Sequence, residues 1–212
     1  MTIRNVPSFV MHLDAVLRVD GLGDITVDVA WGGMFYVLAD ADGLGIDLSA
    51  ENGAQVVRMS ERILAAAKDQ LPVIHPENPD INGPTITFLG AAPVDRKTHG
   101  RCAVSVSSGG YDPTRPDAVP GALDRCPCGT GTSAKMAVLH ARGLLDAGED
   151  FVNAGPLGTT FTGRIESLTE IAGRKAIVPS ITGQAWIYGT SQYMLDPTDP
   201  FPEGFTVGDI WA

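Results

Sequence analysis

The chain has 212 residues, a formal net charge of −10 at pH 7, 44% hydrophobic residues and 19% charged ones. A chain of this length buries a substantial core, and its acidic balance argues against nucleic acid or an anionic membrane surface as partner. No apolar run reaches the ~20 residues of a membrane-spanning helix, and Met1-Thr2-Ile3-Arg4 lacks the apolar centre of a signal peptide. Three cysteines without a disulfide-like pattern indicate a reducing compartment, so a cytoplasmic location is expected.

Short alternating or apolar runs predict strands at 10–16 and 25–29, separated by the hairpin-type turn Gly21-Leu22-Gly23-Asp24. Another strand is expected at 34–38, and Trp31-Gly32-Gly33 before it suggests a bulge or a close backbone approach. Ser49 is a plausible cap for a helix running to about Gln70, with Val56, Met59, Ile63, Leu64 and Ala67 on one face. Strands follow at 85–89 and 103–107, and 109–120 reads as irregular loop. A second helix carries Ala134, Ala137, Val138, Ala141, Leu144 and Leu145 at helical spacing, which predicts one buried face. Beyond it, strands are expected at 158–165, 175–178 and 185–188. Strands bracketing two helices in antiparallel hairpins indicate an α+β fold rather than a doubly wound sheet.

The segment Asp124-Arg125-Cys126-Pro127-Cys128-Gly129-Thr130-Gly131-Thr132-Ser133-Ala134 carries the chemistry. Gly129 to Ser133 open the second helix, so their N–H groups stand ahead of the first intrahelical bond at the positive end of the helix dipole. Such a turn holds a carboxylate or phosphate without a cationic side chain. The same field would lower the pKa of a thiol there, making Cys128 a candidate base or nucleophile. The plainer alternative is a small buried cysteine beside a capped loop. Cys126-Pro127-Cys128 is too tight for an easy disulfide. With only His140 nearby, on an expected exposed helical face, the pair also lacks a full set of zinc ligands. His12 falls in a strand and His99 in a solvated turn. Glu149 and Asp150 read as a solvated loop, and Arg164 and Glu166 as a surface pair.

The motif Asp-Arg-x-Pro-Cys-Gly-Thr-Gly-Thr-Ser-Ala at 124–134 resembles the signature around the second catalytic cysteine of the proline racemase family. That family includes the 4-hydroxyproline 2-epimerases and trans-3-hydroxyproline dehydratases. Asn5-Val6-Pro7-Ser8-Phe9-Val10, Val27-Asp28-Val29-Ala30-Trp31-Gly32-Gly33-Met34-Phe35, His75-Pro76-Glu77, Phe161-Thr162-Gly163-Arg164, Val178-Pro179-Ser180-Ile181 and Asp199-Pro200-Phe201 resemble further family segments in order. Where the family usually has serine, this chain has Cys126.

The resemblance implies a diaminopimelate-epimerase-like fold, in which each of two pseudo-symmetric halves curls an antiparallel sheet around a central helix and gives one cysteine to a shared site. The first cysteine's Cys-Gly-His turn stands upstream of the Asn-Val-Pro-Ser-Phe-Val segment, which begins here at Asn5. The sequence thus resembles the C-terminal two-thirds of a family member, with residues 12–180 a complete second half and the first half mostly missing. Residues 1–11 and 185–212 would pack in that first half, leaving Val6, Phe9, Val10, Trp186, Ile187, Tyr188 and Phe205 without the partners that bury them. Homo-oligomers through exposed strands are the expected consequence.

By the same resemblance the expected activity is cofactor-independent racemisation or epimerisation of proline or 4-hydroxyproline, with no metal, and it is expected to be impaired in a truncated chain because the first cysteine is absent. Cys128 would be one of two acid/base residues. Gly129 and Thr130 would bind the substrate carboxylate, and Asp124 the ring ammonium. Asp124 also reads as a cap or a partner of Arg125. The dehydratases carry threonine at position 128, so cysteine favours racemase or epimerase; a 3-hydroxyproline dehydratase-like relative and a non-catalytic imino-acid-binding remnant are the alternatives.

Overall fold

The structure is a computed structural model and describes residues 1–204. Its elements are β1 (Thr2–Arg4), β2 (Ser8–Val19), β3 (Gly23–Trp31), β4 (Phe35–Asp40), α1 (Gly53–Gln70), β5 (Ile74–His75), β6 (Asn78–Asn82), β7 (Ile86–Ala91), β8 (Gly100–Ser107), β9 (Gly121–Leu123), α2 (Gly129–Ala141), β10 (Asp150–Ala154), β11 (Thr160–Ile171) and β12 (Arg174–Thr182). The fold is mixed α and β. Eight strands run in the order β2-β3-β4-β7-β8-β10-β11-β12, and β12 pairs back onto β2 to close a barrel.

Most pairings are antiparallel, but β4 with β7 and β8 with β10 are parallel. A parallel pair needs a long crossover, and the connections that contain α1 and α2 supply these. This corrects the expectation of antiparallel hairpins throughout.

Alternation along the strands divides the core. Val37, Ala39, Leu89 and Ala103 share a cluster with Val56, Ile63, Leu64 and Ala67 of α1. Their strand neighbours Tyr36, Leu38, Phe88, Cys102 and Val104 cluster instead with Ala134 and Val138 of α2. β4, β7 and β8 therefore present one face to α1 and the other to α2, as the period of two requires. Each large aliphatic buried in this way contributes about 1.5–3 kcal/mol. β11 and β12 bring Ile165, Ile177 and Ile181 to the remaining side of α2, against Met136 and Ala137.

Enclosure explains why the one-sided face predicted for α2 is not what forms. The helix ends at Ala141, Leu144 beyond it is 68% exposed, and Gly131, Thr132, Ser133, Ala134, Met136, Ala137 and Val138 are all buried. His140 is half-buried and its Nδ1 bonds the Leu145 carbonyl. Ser49 caps a 3-10 turn over Ala50–Asn52 that leads into α1, not α1 itself.

The N-terminal residues run along β12. Thr2 to Arg4 pair with Thr182 to Ser180, the Asn5 N–H donates to the Pro179 carbonyl, and Ser8 and Phe9 pair with Ile177 and Ala176. Phe9, expected to lack partners, is buried against Trp31 and His75. Val6 is exposed and Val10 half-buried. The strand expected at 185–188 does not form; those residues have no regular secondary structure, with Trp186, Ile187 and Tyr188 exposed. Phe205 lies outside the described residues.

Two surface expectations also change. Asp150 starts β10 and pairs with Arg164 across the β10–β11 ladder, while Glu166 accepts from the Ser180 hydroxyl. No helix among the described residues is long and apolar enough to cross a membrane.

Glu61 is the costly residue of this core. It is 2% exposed, Oε2 accepts from Ser107, and Oε1 has no partner. Burial raises its pKa, partly offset by Ser107 and Lys68. A carboxyl with a raised folded pKa loses stability as pH climbs from its unfolded value through the folded one. Glu61→Gln is therefore expected to stabilise the protein by roughly 1–2 kcal/mol at neutral pH and hardly at all near pH 4. Urea unfolding at both pH values checks this; an equal effect at both would contradict it.

Candidate active site

Cys128 is the cap residue of α2 and is 8% exposed. Its backbone has φ 58° and ψ 111°, a region that costs a non-glycine residue of order 1–3 kcal/mol and is concentrated at functional sites. The first intrahelical bond runs from the Thr132 N–H to the Cys128 carbonyl. The N–H groups of Gly129, Thr130 and Gly131 thus lie at the open, positive end of the helix. The helix begins at Gly129, where the sequence placed its start.

A network that the motif did not reveal holds the turn in this shape. Thr132 Oγ1 donates to the Pro127 carbonyl at 3.0 Å and accepts from Asn153 Nδ2 at 3.0 Å. Asn153 also donates to Cys102 Sγ, and the Cys102 thiol donates to the same Pro127 carbonyl. On the other flank, Asn5 Nδ2 donates to the Gly32 carbonyl and to Ser133 Oγ, whose hydroxyl donates to the Gly129 carbonyl. Asn5, just after β1, and Asn153, on β10, are distant in sequence from the turn, so local pattern carried no trace of this network.

Gly32 was legible as a close approach and is one. A Cβ there would fall inside the envelope of the Thr130 carbonyl oxygen and 2.7 Å from the Ala134 nitrogen. Gly155 is used similarly, beneath the Cys126–Pro127 peptide.

Three groups contact the sulfur. The Tyr36 hydroxyl, from β4, lies 3.3 Å from Cys128 Sγ and 2.6 Å from Thr130 Oγ1. Thr130 Oγ1 is 3.8 Å from the sulfur, and the Gly131 N–H bonds it as well. Burial pushes the Cys128 thiol above its ordinary pKa, and the Asp124 charge adds to this; Tyr36, Gly131 and Thr130 pull the other way. The net direction is upward, which corrects the expectation of a lowered value. Desolvation of the thiolate is the largest of these influences. Burial likewise raises the Tyr36 phenol far above its usual range.

Asp124 follows β9, its N–H bonded to the Val104 carbonyl. It does not cap α2, since Cys128 does, and its half-buried carboxylate lies close enough to raise both Cys128 and Tyr36. The predicted quartet of Asp124, Cys128, Gly129 and Thr130 is thus gathered at one end of α2. Cys126 is exposed, Cys102 is buried behind the turn, and all three thiols are free. Among the described residues no cluster of three or more His, Cys, Asp or Glu could hold a metal. His75 packs edge-on against Phe9 and Trp31 and does not join the quartet.

A closed barrel thus surrounds a helix whose tip brings together a buried thiol, hydroxyl groups and a nearby carboxylate. A family profile described as "Proline racemase" matches residues 1–206. The chain is 42% identical over 206 residues to a 4-hydroxyproline 2-epimerase of Streptosporangium roseum, covering 97% of this chain and 58% of that protein. A probable proline racemase of Agrobacterium radiobacter K84, solved with bound carbonate, superposes with TM-score 0.78 at 35% identity, over 99% of this chain and 58% of its own. A hydroxyproline epimerase of Agrobacterium vitis with bound trans-4-hydroxy-L-proline gives the same TM-score and identity, over 99% and 56%. The chain belongs to the proline racemase family. It spans little more than half the length of these relatives.

Gly32→Ala is expected to lower stability by roughly 2–3 kcal/mol, because both neighbours are backbone that cannot rotate away. Urea unfolding reads this directly; a loss under about 0.5 kcal/mol would mean that the Cys128 turn yields freely.

Proposed function

We propose that this chain carries one of the two acid/base groups of a cofactor-independent racemase or epimerase of proline or 4-hydroxyproline. The observation that carries the reading is Cys128: a nearly buried thiol, contacted by hydroxyl and N–H donors, beside the N–H groups of a helix tip and within the field of a carboxylate. The substrate carboxylate sits against the N–H groups of Gly129 and Thr130, and the ring ammonium faces Asp124. Cys128, as thiolate, removes the Cα proton and becomes a thiol. The electron pair of the broken C–H bond spreads into the carboxylate, where the helix-tip donors stabilise the added charge. A second acid on the opposite face then delivers a proton to Cα, and configuration inverts.

Cys102 cannot be that second acid, because its thiol is buried and committed to the Pro127 carbonyl. We place the second acid, a cysteine by family resemblance, on polypeptide outside these 212 residues, which accords with a chain covering 58% of its epimerase relative. The whole protein then has the two-half, diaminopimelate-epimerase-like arrangement, residues 12–180 forming one half. The outer face of residues 1–11 and the segment 185–204 meet the other half. Free thiols fit a cytoplasmic location. A binding-only role has one observation in its favour, the upward shift of the Cys128 thiol, which makes its base form scarce at neutral pH.

Proton NMR of trans-4-hydroxy-L-proline and of L-proline in heavy water separates these readings. Loss of the Cα proton signal with configuration retained, absent in Cys128→Ser, is the expected result. The rate should climb about tenfold per pH unit above neutrality until the raised thiol pKa is reached. No exchange at any pH would leave the binding-only role.

The exposed Trp186, Ile187, Tyr188, Tyr193, Met194 and Leu195 supply an apolar segment that favours association. Light scattering after size exclusion is expected to give a mass above that of the 22.3 kDa monomer. A sharp monomer peak at all loadings would remove homo-oligomerisation from the reading.

A further inference from the structure

Tyr36 is fully buried, and its hydroxyl is shared between Cys128 Sγ and Thr130 Oγ1 at 3.3 and 2.6 Å. Strand β4 fixes it from both sides through Ala30 and Ile86, and the ring packs in the cluster with Leu38, Phe88 and Ala134. The ring therefore has no freedom to leave, and only the hydroxyl proton can turn. A phenol has one proton to donate and can also accept. With Cys128 as thiol, the S–H can donate to the Tyr36 oxygen while Tyr36 donates to Thr130. With Cys128 as thiolate, Tyr36 turns its proton to the sulfur and accepts from the Thr130 hydroxyl. Each state leaves every hydroxyl with a partner, and no heavy atom moves.

We propose that Tyr36 is a positioning residue whose hydroxyl switches its proton between Thr130 and Cys128, making the buried thiolate a populated state. The inference rests on Cys128 being the acid/base group, but its test does not require turnover. The groups facing the sulfur are the Tyr36 hydroxyl from β4, the Thr130 hydroxyl and Gly131 N–H from α2, and Asp124 from the preceding loop. Cys102 from β8 is near enough to feel the Cys128 charge. Among these, Asp124 opposes the thiolate, and Tyr36 is the strongest of the groups that favour it.

The experiment is the pH profile of Cys128 alkylation by iodoacetamide, followed by intact mass in a Cys126→Ser background so that the exposed thiol does not report. Tyr36→Phe removes one oxygen and leaves the ring. It should raise the apparent thiol pKa by about one unit, slowing alkylation roughly tenfold around pH 8 while the limiting rate at high pH is unchanged. A loss of packing alone would change the limiting rate or the unfolding midpoint and leave the apparent pKa in place. A second arm avoids any folding failure of that variant: 3-fluorotyrosine at all four tyrosines makes a stronger donor, and the apparent pKa should fall.

Superimposable profiles for Tyr36 and Phe, or a Cys128 that resists alkylation at every pH, would overturn the proposal. Shifted profiles with no Cα exchange in heavy water would keep it and discard the isomerase reading. Exchange with unshifted profiles would do the reverse.

Discussion

The enclosure of α2 by eight strands is the constraint on which the rest of the molecule depends. Barrels of this strand number are ordinarily filled by side chains alone. Putting a helix through the interior is possible only if the helix is thin and the wall recedes. Both conditions are visible in particular residues. The first turns of α2 read Gly-Thr-Gly-Thr-Ser-Ala at 129–134, with no side chain larger than threonine. On the wall, a Cβ at Gly32 would strike the Thr130 carbonyl, and one at Gly163 would strike the Met136 sulfur. Interior polar groups then need partners of their own, and Thr132, Ser133, Asn5 and Asn153 satisfy one another there.

The same enclosure sets the acidity of the thiol. A helix N-terminus favours a cysteine's thiolate. Inside a barrel the loss of water works against the thiolate, and for Cys128 this desolvation is the largest influence. A thiolate in such a place persists only if fixed donors replace the lost solvent, and here a phenol, a hydroxyl and a backbone N–H converge on one sulfur. Fixed donors cost no reorganisation when the proton moves, so the burial that disfavours the charged form also makes its solvation rigid.

Local pattern and spacing carried a good part of this. The hairpin turn at 21–24, the helix over 53–70 and the strands around 35–40, 86–91 and 100–107 follow from period and punctuation. The helix-tip turn followed from five residues in sequence, and Gly32-Gly33 announced a close approach without saying to what. What local pattern could not carry is pairing across the chain. The two parallel neighbours β4–β7 and β8–β10 depend on where the crossovers land. β10 is five residues long, with an unremarkable Asp-Phe-Val-Asn-Ala sequence, and it becomes a wall strand only because β8 and β11 flank it. Tyr36, Cys102 and Asn153 were invisible as site residues for the same reason, each being an ordinary strand residue until closure carries it to the Cys128 turn, as was Asn5 in the link between β1 and β2. The direction of the thiol shift also depended on closure, since spacing gives the dipole but not the dielectric.

Where the site lies relative to the cavities completes the physical picture. A cavity of about 850 Å³ opens toward the C-terminal end of α2, lined by Asp28, Asp40, Lys135 and Arg142, and one of about 680 Å³ lies beside β2 and β12. Neither borders Cys128. The larger is already occupied by its own charges, with Arg142 paired to Asp14 and Asp28. Burial lowers the Lys135 ammonium's pKa, as expected where a cation is partly stripped of water. The helix tip instead presents a ledge: Gly129 and Thr130 half-exposed above a buried sulfur. A ledge can orient a carboxylate through N–H groups, yet one face of any bound Cα remains open to whatever stands opposite. Inversion at carbon demands a proton donor on that open face. A helix tip of this kind would suit the reaction proposed above, one shared between two such rims, and it lies apart from both cavities.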